Sequence, residues 1–180
     1  MYNLHSILIQ LKKEDTPLHG VMVRCVRCFY QWLDPTLWEG SALFELWAQE
    51  LELIYGDLRQ RLSPNAKTDA GSLGDRFGFD TPPELPRLLQ SIQTFYSVLI
   101  KLIAWNTLRG ATPEPPLTEL LSGRAFVNRG IRNFCGDDWY IWPLDIWDPA
   151  LETQCEELRA CLESFDTCPE GSTLSPDSLS

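Results

Sequence analysis

At 180 residues, with 44% hydrophobic and 11% aromatic content, the chain can bury one good core but not two comfortable ones. That apolar load excludes a disordered chain, and no apolar run is expected to approach the roughly 18–20 residues that span a bilayer. The net charge of −10 argues against tight nonspecific binding to nucleic acid, which needs clustered Lys and Arg to release counterions.

The acidity is uneven. Asp145 to Ser180 carry nine acids against the single base Arg159, whereas residues 1–144 hold 16 acids and 14 bases. The body is therefore near neutral and the C-terminal end is acidic. The lysines of MYNLHSILIQLKK follow the apolar stretch, the reverse of a signal peptide, so a soluble cytoplasmic protein is expected. In that compartment Cys25, Cys28, Cys135, Cys155, Cys161 and Cys168 should remain reduced thiols.

In chain order, a first apolar segment covers about Tyr2 to Leu11 and is broken by KKEDTP, where Asp15 or Thr16 beside Pro17 suits a helix start. The next helix should run from Leu18 to Leu33 and stop at Asp34-Pro35. It carries Cys25-Val-Arg-Cys28, a CxxC string. A zinc site needs a second ligand pair, which is absent, so the i,i+3 spacing places two small buried side chains on an apolar helix face. His5 and His19 stand alone, with no neighbour in sequence to orient either as base or ligand.

A third helix begins near Ser41, with Leu43, Phe44, Leu46, Trp47, Leu51, Ile54 and Tyr55 at three- and four-residue steps. Residues 61–86 are polar and rich in Gly, Pro and Asp, and read as a flexible surface loop. The strongest helix follows, from Glu84 or Leu85 to Arg109. It is apolar around so much of its circumference that it should be central and buried, and Gly110 suits its stop. ATPEPP reads as a stiff linker, and Leu117 to Leu121 as a short helix ending near Gly123. DDWYIWPLDIWDP is aromatic and broken by proline, which suggests short extended or turn structure. A last acidic helix should occupy 149–165, and 167–180 should be a disordered tail. The expected fold is mainly α, a single helical domain over 1–166 with one long Gly/Pro loop.

One stretch carries more than periodicity. In GRAFVNRGIRNFCGDDWYIW, the ordered set Gly123, Phe126, Gly130-Ile131, Asn133-Phe134, Asp137-Asp138, Tyr140 and Trp142 resembles a segment of the N-terminal helical region of adenine-specific DNA methylases. These are enzymes of the restriction-modification and phage-defence type. Three further blocks are similar to that family in the same order. FELWAQELELIYG supplies Trp47 and Tyr55-Gly56, TFYSVLIKLIAW an apolar helix, and ELRACLESFDT the helix that in such enzymes leads into the catalytic domain. The resemblance spans about Leu43 to Thr167.

The catalytic signatures of that family are missing. There is no Gly-rich turn for S-adenosylmethionine, and no Asn/Asp-Pro-Pro-Tyr/Phe tetrad to hold and stack a flipped base. Asp80-Thr81-Pro82-Pro83-Glu84 has an inserted Thr and no aromatic after the prolines, so it reads as a turn into a helix. Gly71-Ser-Leu-Gly74 is followed by no cofactor fingerprint. Asp137-Asp138 lacks a third carboxylate and reads as surface or capping charge. The expectation is a chain with no cofactor, no metal and no catalysis of its own.

Two groups of residues remain as candidates. Arg124, Arg129 and Arg132, with Asn128 and Asn133, form the densest local positive charge and suit phosphate contacts. Their alternative reading is solvated charge, or pairing with Asp137 and Asp138. Trp139, Tyr140, Trp142 and Trp147 suit docking onto a partner, or core. The resemblance implies a catalytic methylase chain or other defence component as partner, with DNA contacted through it and no membrane. The competing expectation is a stand-alone helical adaptor or inhibitor that binds through its acidic and aromatic C-terminal part.

Overall fold

The computed structural model describes residues 4–34, 41–55, 72–108, 110, 112–135 and 138–164. Those residues form a helical domain, as expected, with no strand among them. The first part of the predicted loop (61–71), Gly56, Asp137, Cys168 and the predicted tail 167–180 lie outside the described residues.

Capping explains where the first helices begin and end. Helix α1 (Leu4–Lys12) leads to Thr16, whose side chain accepts from the His19 amide at 3.3 Å and opens α2 (Pro17–Trp32). Pro17 sits in the first turn, where its missing N–H costs nothing. At the other end of α2, Arg87 reaches over and donates to the carbonyls of Tyr30 (2.6 Å) and Gln31 (3.1 Å). Its guanidinium also lies 4.2 Å from the Tyr30 ring centroid, so a cation serves the carbonyls at the end of the helix, of which that of Gln31 also accepts from the Asp34 amide. Helix α3 (Ser41–Tyr55) follows.

The long helix α4 (Leu85–Leu108) ends two residues before Gly110, which adopts φ +54. The remaining elements are short: α5 (Leu117–Leu121), α6 (Arg124–Val127), α7 (Asp138–Ile141) and α8 (Pro143–Ile146). Helix α9 (Pro149–Glu163) closes the order, with the Asp148 carboxylate accepting from the Ala150 amide at 2.7 Å.

The core is a three-helix contact. Helix α2 packs against both α9 and α4, and α9 also touches α4. Phe29 and Cys25 from α2, Phe95 and Leu102 from α4, and Leu151 and Leu158 from α9 are among the side chains it buries. The acidic helix is thus part of the core, with its glutamates on the outer side.

Helix α4 is 24 residues long, and its 18-residue window of mean hydropathy 1.2 makes it long and apolar enough to cross a membrane, more than the sequence reading credited. Within this fold 56% of that window is buried by protein. Its buried face also holds Ser91 and Thr94, which return hydrogen bonds to the Arg87 and Gln90 carbonyls. Lys101 is buried there too, with its Nζ donating to the Leu121 carbonyl at 2.7 Å, at the end of α5. A buried cation on a carbonyl at a helix C-terminus satisfies both groups.

Two sequence expectations are corrected. The stretch 72–84 is not simply loop. Residues 72–76 make a turn of helix, closed by Phe79 N–H to the Gly74 carbonyl and Gly78 N–H to the Asp75 carbonyl, with Gly78 at φ +67. That bond pair is the six-to-one and five-to-two signature of a glycine helix stop. It presses Phe77 into the core. The aromatic stretch after residue 137 is helical rather than extended, with Pro143 in the first turn of α8.

Candidate functional site

The segment 117–135 is built around two glycines. Gly123 adopts φ +80, and a Cβ there would lie 2.4 Å from the Phe134 carbonyl oxygen, so only glycine lets residues 123 and 134 approach this closely. Gly130, at φ +77, terminates α6: Ile131 N–H bonds to the Phe126 carbonyl at 3.1 Å and Gly130 N–H to the Val127 carbonyl at 2.9 Å. Phe126 is fully buried, with ring centroids 4.5 Å from Phe134 and 5.9 Å from Trp105. The loop is therefore fixed by sterics at one glycine and by hydrogen bonds at the other.

Its five candidate nucleic-acid residues have different surroundings. Arg129 is committed to structure. It donates to the Leu108 carbonyl at the end of α4 and to Thr112 Oγ1, and its guanidinium stands 5.1 Å from the Trp105 ring centroid. Arg124 and Arg132 are exposed, and neither has a hydrogen-bond or ion-pair partner among the described residues. Asn128 lines a shallow cleft with Arg129 and Trp105, whereas Asn133 lines a different cleft beside Tyr96.

The aromatic group divides as well. Trp142 is 1% exposed, and its Nε1–H donates to Thr94 Oγ1 at 3.0 Å, so it belongs to the core and not to a docking face. Trp147 is half-buried and packed on the core. Tyr140 is half-buried and donates its hydroxyl proton to Gln93 Oε1 at 2.6 Å. Trp139 lies on α7, and its side chain is outside the described set.

Two of the thiols are core groups, whereas Cys28 and Cys161 are half-buried and Cys135 is exposed. Cys25 and Cys155 are buried, and Cys25 Sγ donates to the Gln154 carbonyl at 3.4 Å. Desolvation pushes the Cys25 thiol well up, Cys155 up to about 12 and Cys28 up to about 11, the reverse of a nucleophilic or metal-binding thiolate. Among the described residues no cluster of His, Cys, Asp and Glu could hold a metal ion.

Sequence reasoning missed an exposed apolar surface. Tyr96 and Ile100 on α4 are 43% and 53% exposed, and Leu8 on α1 is 55% exposed. Two cavities meet at Tyr96. One, of about 320 Å³, lies between α1, α2, the 72–77 turn and α4, with Leu8, Met22, Phe77 and Ile92 in its walls. The other, of about 350 Å³, continues past Ile100 to Phe134 and Tyr140. Together they make a groove that runs along α4 to the glycine-pinned loop.

No protein-family description, curated relative or solved structure matches this chain.

Proposed function

We propose that this chain is a non-catalytic helical accessory domain of the adenine-methylase type, which docks on a catalytic methylase chain and helps position its DNA. What supports this reading is the segment Gly123 to Trp142. The residues that carry the family resemblance include both glycines that fix the loop, together with its buried Phe126 and Trp142. The loop leaves Arg124 and Arg132 exposed and without partners among the described residues, as groups for a phosphate backbone require. Chemistry is assigned to the partner, because the chain carries neither the cofactor turn nor the tetrad.

A stand-alone adaptor is the second reading, favoured by the apolar groove at Tyr96, which suits a protein partner of any family. In that case the acidic helix α9 offers only its outer, glutamate-bearing side, since Leu151, Cys155, Leu158 and Leu162 are committed to the core.

The coding DNA immediately downstream of the Ser180 codon tests the first reading. A Gly-rich cofactor turn followed by an Asn/Asp-Pro-Pro-Tyr/Phe tetrad is expected there, in the same polypeptide or in one that elutes together with this chain. A neighbouring gene of unrelated type, and no co-elution with it, would remove the methylase assignment.

A further inference from the structure

The groove along α4 has three properties that together specify an occupant. First, its apolar residues are placed for a helix. Ile92, Tyr96 and Ile100 recur at four-residue steps, so they form one stripe about 12 Å long at 1.5 Å rise per residue. Leu8 of α1 stands beside Tyr96 in the wall of the first cavity. Second, no strand edge exists among the described residues, so an extended peptide has no ladder to join here.

Third, the charge of the groove is opposite to that of the chain. The protein has 25 Asp and Glu against 15 Lys and Arg, yet no carboxylate among the described residues lines either cavity, and the one charged residue given for the second, Lys101, has its Nζ on the Leu121 carbonyl. Lys12 and Arg76 line the first cavity, and both are exposed, with no hydrogen-bond or ion-pair partner among the described residues. His19 lines it too, and its Nδ1 donates to the Leu11 carbonyl at 2.9 Å, which leaves Nε2 as the ring nitrogen not held by that bond.

We propose that this groove is a docking site for an amphipathic helix of a partner protein. The helix lays apolar side chains along Leu8, Tyr96 and Ile100 and carries Asp or Glu at the end that lies over Lys12 and Arg76. The apolar stripe supplies affinity, and the two cations set which way the helix lies, because unpaired charges at one end of an apolar groove make the reversed pose unfavourable. This deepens the docking proposal, on which it rests only in holding that the chain acts by binding a protein. It moves the contact from the aromatic C-terminal part to the outer face of α4.

The test is selection of helix-forming 16-residue peptides from a phage-displayed library on the full chain. Recovered sequences should show apolar residues at i, i+4 and i+7, with Asp or Glu gathered at one end. As synthetic peptides they should bind Ile100→Lys at least tenfold more weakly than the native chain. They should also bind a Lys12→Glu, Arg76→Glu double variant at least tenfold more weakly, while Arg124→Ala binds unchanged. All the altered side chains are exposed, so the far-UV circular dichroism of each variant should match the native chain. Peptides without acidic bias, or with undiminished binding to the charge-reversed variant, would overturn the proposal. So would decanoate binding that depends on Arg76 while no peptide is recovered, which assigns the first cavity to a small anionic amphiphile. A methylase reading frame downstream of Ser180 without groove-dependent peptides would sink this inference alone. Groove-dependent peptides without such a frame would sink only the methylase assignment.

Discussion

Trp142 and Thr94 share one buried hydrogen bond that joins the junction of α7 and α8 to the central helix α4. The indole Nε1–H donates to Thr94 Oγ1 at 3.0 Å, and the threonine hydroxyl donates in turn to the Gln90 carbonyl at 2.8 Å. Replacing Thr94 with Val keeps the volume and leaves the indole donor without its acceptor. A buried donor in that state costs about 1–3 kcal/mol. The expected result is a lower urea midpoint for Thr94→Val, with the slope of the transition unchanged. Adding Trp142→Phe removes the stranded donor, so the double variant should cost less than the sum of the two single ones. Strict additivity would mean that the bond contributes nothing.

Gly123 and Gly130 both adopt positive φ, yet they should respond differently to alanine. At Gly130 a Cβ meets nothing within 4 Å, so the cost is that of the left-handed backbone alone, about 1–2 kcal/mol. At Gly123 the same backbone cost is joined by a clash with the Phe134 carbonyl, where the new carbon would sit at 2.4 Å. Gly123→Ala should therefore be the more destabilising in chemical denaturation. Equal midpoints for the two variants would contradict the steric account.

The parts of this fold legible in the sequence are those set by local chemistry. Thr16-Pro17 announces α2, twenty-four residues of apolar character announce α4, and Pro149 in the first turn of an amphipathic stretch announces α9. The turn at 72–76 was missed because only Leu73 and Phe77 carry it. Two residues make no period, and they are covered only because other helices supply a surface. Arg129 looked like a free cation, because nothing local reveals that its acceptor is a carbonyl 21 residues earlier. The groove was missed for a related reason. Periodicity marks α4 as apolar on nearly every side, but which side stays open depends on how many helices gather around it.

The buried thiols should make the protein lose stability in alkali. Burial pushes Cys28 up to about 11 and Cys155 up to about 12, and holds Cys25 well up, whereas an unperturbed thiol ionises near 9.0. Their stabilising contribution is complete below pH 9. Above it the unfolded chain releases protons that the folded chain keeps, so stability falls, by at most about 1.4 kcal/mol per pH unit for each thiol. The contribution of Cys28 stops changing once pH passes about 11. Urea midpoints between pH 8 and 10.5 should drop more steeply for the native chain than for Cys155→Ala. Parallel slopes would show that the folded thiol ionises as the unfolded one does.

Helix α9 decides whether the acidic end is an appendix or a structural member. Were it an appendix, the body would stay folded after removal of residues 145–180. The structure opposes this, because Leu151, Cys155, Leu158 and Leu162 are fully buried against the core, and Arg24 holds Glu157 across the α2–α9 contact at 2.8 Å. That ion pair is exposed at both ends and adds little, so the buried leucines carry the contact. Leu158→Ala alone should cost about 2–5 kcal/mol, a large share of the roughly 5–15 kcal/mol that holds a typical domain together. Ending the chain at Leu144 should leave helical far-UV signal but abolish the near-UV bands of the tryptophans. Glu152→Gln alters only the exposed outer side, and should leave those bands intact. If the truncated chain instead kept its near-UV spectrum and a cooperative unfolding transition, α9 would be dispensable and its acidic side free to serve as the adaptor's contact.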